Sequence, residues 1–67
     1  MQIWRLKKVM EQTGLGRSSV YNFIKAGTFP KPVPLGGRAV GWLASEVEGW
    51  LQDRIRERDQ DGVSGTR

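Results

Sequence analysis

The chain has 67 residues and contains neither cysteine nor histidine. Thiol nucleophiles, imidazole bases and ordinary zinc sites are thereby excluded, and the fold needs no oxidising compartment. Long apolar runs are missing as well. No stretch approaches the ~20 residues that cross a bilayer, and the first residues lack the apolar core of a signal peptide. A cytoplasmic protein without membrane contact is expected. Size adds a further bound, because a single domain this short buries only roughly 60% of its unfolded surface. That leaves scarce room for a preorganised catalytic cleft, so no enzymatic activity, cofactor or metal is expected.

Acidic residues are scarce in the first part of the chain. Residues 1–40 hold seven Lys or Arg and one acid, Glu11, whereas residues 41–67 hold four basic and six acidic residues. The two parts carry +6 and −2 within a net charge of +4. This asymmetry suits a polyanion bound by the N-terminal two thirds, with the last helix facing away.

Apolar spacing then sets out the elements. Leu6, Val9 and Met10 recur at i, i+3 and i+4, with Lys7, Lys8, Glu11 and Gln12 opposite, and predict a first helix over about Leu6 to Thr13. Gly14 ends it in the left-handed conformation and Leu15 plugs the corner. A second helix spans 16–26 and closes at Gly27, with Gly16 standing where a Ser or Asp cap is more usual. Val20, Phe23 and Ile24 turn inward there, leaving Arg17, Ser18, Tyr21, Asn22 and Lys25 outward. Two short helices joined by so tight a turn form a helix-turn-helix, whose second helix enters the major groove.

Pro30, Pro32 and Pro34 alternate before Gly36-Gly37, so their missing donors fall on one strand edge. A hairpin turning at Gly36-Gly37 pairs Leu35 with Arg38, Val33 with Val40 and Lys31 with Trp42. That register gathers Val33, Leu35, Val40 and Trp42 on the face toward the helices. A hairpin in this position is a wing, spanning 30–42. Ser45 and Glu48 have capping-box spacing, and Val47, Trp50, Leu51 and Ile55 predict an apolar face on a last helix from about Ser45 to Arg58. Gly49 inside it costs up to ~1 kcal/mol unless a neighbour packs close. From Asp59 onward little can be buried, and a disordered tail over 59–67 is expected.

The candidate DNA contacts are Arg17, Ser18, Ser19, Tyr21, Asn22 and Lys25 on the second helix, with Lys31 and Arg38 on the wing. Arginine bonds guanine O6 and N7 bidentately and asparagine does likewise to adenine, while hydroxyls and lysines suit phosphates. Arg5, Lys7 and Lys8 on the first helix could brace the backbone or simply be solvated. Trp42 and Trp50 belong to the core, whereas Trp4 is open between core and exposed contact. Glu46, Glu48 and Asp53 suit capping and surface roles.

The blocks Leu6-Lys7-Lys8-Val9, Thr13-Gly14-Leu15, Arg17-Ser18-Ser19-Val20-Tyr21, Phe29-Pro30-Lys31-Pro32, Gly37-Arg38-Ala39-Val40-Gly41-Trp42 and Ser45-Glu46-Val47-Glu48-Gly49-Trp50-Leu51 together resemble the AlpA family of prophage regulators. These are small DNA-binding proteins with a MerR-like or excisionase-like winged helix, and the resemblance covers about residues 4–55. It implies transcriptional regulation in phage or mobile-element biology, with signature positions at Arg17, Ser18, Ser19, Tyr21 and Arg38. The chain departs from the family pattern at Gly16, often Ser in relatives, and at Gly41, where many carry a basic residue.

The expected fold is therefore mostly helical: a winged helix-turn-helix of three helices and a two-stranded wing, occupying residues 1–58. Its expected partner is double-stranded DNA, bound by a homodimer, by cooperative neighbours or with a second protein such as an integrase or the transcription machinery. Two alternatives are an excisionase that directs recombination and a protein-interaction module using the basic face.

Overall fold

The computed structural model describes residues 1–60. The element order is β1 (Ile3–Trp4), α1 (Leu6–Thr13), α2 (Arg17–Ala26), β2 (Val33–Gly36), β3 (Ala39–Leu43) and α3 (Ala44–Gln60). Three helices and a β2–β3 hairpin make the winged helix-turn-helix that the spacing predicts.

Both glycine stops end their helices with backbone in the left-handed region, Gly14 at φ 76° and Gly27 at φ 81°. The Gly14 N–H returns to the Met10 carbonyl at 2.8 Å. After α2, the Gly27 N–H reaches Ile24 and the Thr28 N–H reaches Phe23, so two orphan carbonyls are satisfied in a Schellman arrangement. Thr13 strengthens the first turn in a way that composition does not reveal. Its hydroxyl donates to the Val9 carbonyl at 2.8 Å and accepts from the Leu15 N–H at 3.2 Å, tying helix end to turn.

The sheet has three strands in the order β1-β3-β2, all antiparallel. β1 is too short to show alternation and sequence reasoning does not find it. It pairs Ile3 with Leu43 and Trp4 with Trp42, and the Gln2 carbonyl accepts the Ala44 N–H at the start of α3. The wing register also differs from expectation. Val33 pairs with Gly41 and Pro34 with Val40, then Gly36 with Ala39, so Leu35 is an extra residue in a bulge. The turn consequently falls on Gly37-Arg38, with Gly36 at φ 112° and Gly37 at φ 55°. Pro34, which has no N–H to give, stands opposite Val40, while Val33 keeps its donor toward Gly41.

This shift redistributes the wing's side chains. Val33 and Gly41 share the outer sheet face with Ile3 and Leu43, whereas Val40, Trp42 and Trp4 share the inner one. Leu35, expected toward the helices, is 45% exposed. Gly41 is buried, and a Cβ there would overlap Ile3 Cγ2 and stand 3.2 Å from the Leu35 Cδ1 and the Trp4 carbonyl oxygen. A basic side chain at this position could not point to solvent without opening the strands.

The core comprises Trp4, Val9, Val20, Phe29, Trp42, Ala44 and Val47, with Leu6, Met10, Leu15, Ile24, Val40 and Trp50 packed around it. Trp4 is thus a core residue. Phe29, read only as part of the segment before the wing, is a core residue too. Phe23 and Ile55, expected inward, are 37% and 44% exposed. Ile55 lies beyond the body that α3 packs on, because a 17-residue helix runs about 25 Å and outlasts a core this small. The helix begins at Ala44, directly after β3, so Ser45 lies inside its first turn rather than at a cap. Asp59 and Gln60, assigned to the tail by sequence, are the last residues of α3, and the rest of that segment lies outside the described residues.

Candidate nucleic-acid interface

Helix α2 turns Val20 and Ile24 toward the core, and the neighbours of this buried stripe define its two flanks. Tyr21 lies edge-on to Trp42 with ring centres 6.3 Å apart, so one flank adjoins the root of the wing. Phe23 lies 6.2 Å from Trp50, so the other flank adjoins α3. By helical spacing Arg17 and Lys25 stand one turn before and after Tyr21. Ser18 and Asn22 lie at the middle of the outward face, and both are exposed. Ser19, one turn before Phe23, is half-buried and stands apart from the others. Arg17 and Lys25 are exposed, and Tyr21 is 39% exposed.

The start of α2 is open. Val20 is the first residue whose N–H finds a carbonyl of the preceding turn, that of Gly16 at 3.1 Å. Gly16 supplies no side-chain cap, so the N–H groups of Arg17, Ser18 and Ser19 face the entry of the helix without an intrahelical acceptor. Such a terminus favours an anion.

Two tryptophans hold the segment that joins α2 to the wing. The Trp50 indole N–H donates to the Thr28 carbonyl at 2.6 Å, and the Trp42 indole N–H donates to the Pro30 carbonyl at 3.0 Å. Between these bonds Phe29 is buried, its ring edge-on to Trp50 at 4.9 Å. The end of α2 and the start of the wing are therefore fixed relative to β3 and α3. Lys31 follows this clamped segment and Arg38 sits in the hairpin turn, both exposed. The spacing places the two rings in the core but does not reveal their N–H bonds, which depend on residues 12 and 22 positions away.

Charge is partitioned in the same way. Arg54 pairs with Glu57 at 2.7 Å, Arg56 with Asp53 at 3.1 Å and Arg58 with Asp59 at 3.0 Å, all on α3. Among the described residues, Arg17, Lys25, Lys31 and Arg38 take part in no ion pair. No Asp or Glu occurs between Gln12 and Ser45. The helix and the wing thus present cations whose nearest sequence neighbours offer nothing to neutralise them.

An outward second helix beside a cationic hairpin, both carried on a small three-helix body, defines the chain as a winged helix-turn-helix protein. The model of the family described as Prophage CP4-57 regulatory protein (AlpA) matches residues 2–55. The chain belongs to this AlpA family of prophage regulators. It is 48% identical over 54 residues to the uncharacterized protein ORF88 of Enterobacteria phage P4, a match covering 81% of this chain and 61% of that relative's length. It is also 34% identical over 62 residues to the DNA-binding transcriptional activator AlpA of Escherichia coli strain K12, covering 84% of this chain and 89% of the relative. Among the described residues no helix is long and apolar enough to cross a membrane.

Proposed function

We propose that the chain binds a particular double-stranded DNA sequence and regulates transcription in a phage or mobile element. In this reading helix 16–26 lies in the major groove and wing 30–42 lies on the flanking backbone or in the minor groove. Arg17, Ser18, Tyr21 and Asn22 face base edges, with Arg17 and Asn22 able to bond two base atoms at once. Lys25, Lys31 and Arg38 neutralise phosphates, and the open N–H groups at the start of α2 receive another. Ser19, half-buried, contributes through its backbone N–H more than its hydroxyl.

The observation that carries the reading is the division of charge. Among the described residues, every arginine of α3 is paired on its own helix, while the cations of α2 and the wing take part in no ion pair. Membership of a prophage regulator family, with one relative named as a DNA-binding transcriptional activator, supports it. One recognition helix buries a limited interface, so specific binding at physiological salt calls for more than one copy or a second protein.

Selection of duplexes from a random pool, at physiological salt with competitor DNA, tests this. An enriched motif is the expected result. Salt-sensitive background without enrichment would overturn the reading in favour of a protein partner for the basic face.

A further inference from the structure

Residues 27–32 join α2 to β2 and belong to no helix or strand, yet Lys31 in this segment supplies one of the cations of the interface. A cation on a loose connection gains little from a phosphate, because binding must first order it. This connection is held. Pro30 and Pro32 stand on either side of Lys31, so their rings fix φ at both neighbours and confine Phe29 and Lys31 to extended backbone. The Pro30 carbonyl accepts the Trp42 indole N–H at 3.0 Å, and two residues after Lys31 the ladder with β3 begins at Val33. The backbone of Lys31 is thus fixed from both sides while its side chain is exposed.

Trp42 ties the same segment to α2. Its ring is fully buried and lies edge-on to Tyr21, on the flank of the helix that also carries Arg17 and Lys25. One indole therefore meets the second helix with its ring and the approach to the wing with its N–H. Farther back, the Trp50 N–H holds the Thr28 carbonyl at 2.6 Å and fixes where the chain leaves α2. Arg38 depends on neither bond, because it sits in the turn of a hairpin that its own ladder orders. Glu46 and Asp53 border Gly27–Pro30 on the side of α3, so a lysine freed from this backbone has competing carboxylates within the chain. We propose that Trp42 is a positioning residue of the DNA interface: its indole N–H, acting through Pro30, sets Lys31 at a fixed offset from α2. Helix and lysine then meet neighbouring phosphates together, with the ordering cost met by folding. This inference rests on the DNA-binding reading above.

The test is a double-mutant cycle in affinity for the selected duplex, measured across a salt series. In the unaltered chain Lys31→Ala is expected to reduce the slope of log affinity against log salt by about one, the signature of one lost phosphate contact. Trp42→Phe keeps an aromatic ring and removes the donor. It is expected to weaken binding roughly 2- to 13-fold, the ordering cost of one long side chain, and to reduce the slope by about one on its own. Adding Lys31→Ala to it then changes neither affinity nor slope, whereas Lys25→Ala and Arg38→Ala each still reduce the slope by about one. Because Trp42 is buried, the cycle is repeated with a chemically synthesised chain in which sulfur replaces the indole nitrogen of Trp42, which preserves the shape of the ring. A role confined to stabilising the fold lowers the melting temperature and leaves the Lys31→Ala effect intact. No effect of Lys31→Ala in the unaltered chain, a full effect in the sulfur-bearing chain, or equal loss of the Lys25, Lys31 and Arg38 contributions would each overturn the inference. Failure of the unaltered chain to select any duplex would instead overturn the DNA reading itself.

Discussion

Replacing Gly41 with alanine adds one methyl group where β1 and the wing close over β3. Intrinsic preference favours the change, since glycine within a strand is destabilising by roughly 0.5–1 kcal/mol relative to alanine. Packing opposes it. The new Cβ would overlap Ile3 Cγ2, which belongs to a stiff β-branched side chain, and would stand 3.2 Å from the Trp4 carbonyl oxygen, which is backbone. Only the third neighbour, Leu35 Cδ1 at 3.2 Å, can swing aside easily. Overpacking of this kind costs about 1–3 kcal/mol, so the net loss is of order 1–2 kcal/mol after the strand preference is deducted. For a domain of this size that lowers the melting temperature by roughly 4–16 °C. Thermal unfolding followed by tryptophan fluorescence measures it. Ile3→Ala relieves the closest approach, so in a double-mutant cycle its own cost should shrink by about 1 kcal/mol in the Gly41→Ala background. A melting temperature at or above that of the unaltered chain, or strict additivity of the two changes, would refute the account of why glycine stands there.

Other substitutions probe the helices and the interface. Gly49→Ala meets open space in α3 and should stabilise the fold by up to ~1 kcal/mol, read as a higher melting temperature. Thr13→Val keeps the shape but removes the hydroxyl that bridges Val9 and Leu15, and denaturant unfolding should show a loss of about 1–3 kcal/mol. Arg17→Ala is expected to weaken binding to the selected duplex by about 1–3 kcal/mol and to relax preference at one base pair. Lys25→Ala should weaken binding to all duplexes alike and reduce the slope of affinity against salt by about one.

Local features of this fold are legible in the chain alone. The extents of α1 and α2, the glycine stops between and after them, and the turn closed by Leu15 depend on residues a few positions apart, and 3.6-residue spacing exposes them. Charge division is likewise a property of composition, although only the ion pairs of α3 reveal which cations are already neutralised. The outward group Arg17, Ser18, Asn22 and Lys25 follows from the same helical periodicity. Ser19 is half-buried, and helical spacing alone does not show it.

The wing shows where local reasoning stops. A hairpin was legible from the alternating prolines and paired glycines, but the two glycines permit a turn at either of two positions. A slip of one residue against β3 moves Val33 of β2 to the other face, while Val40 and Trp42 keep theirs. Tertiary packing made the choice: Trp42 belongs on the inner face beside Trp4, Gly41 must then lie beneath Ile3, and the bulge at Leu35 absorbs the difference. Strand β1 exists for a similar reason, since two residues carry no periodic signal and pair only because β3 offers a free edge. The sequence by itself thus determined the helix-turn-helix, its polarity and the identity of its outward residues, all consequences of neighbours along the chain. The folded molecule alone decided the wing register, the third strand and the tryptophan clamp from α2 to the wing, because each is a contact between residues that meet only when the chain closes on itself.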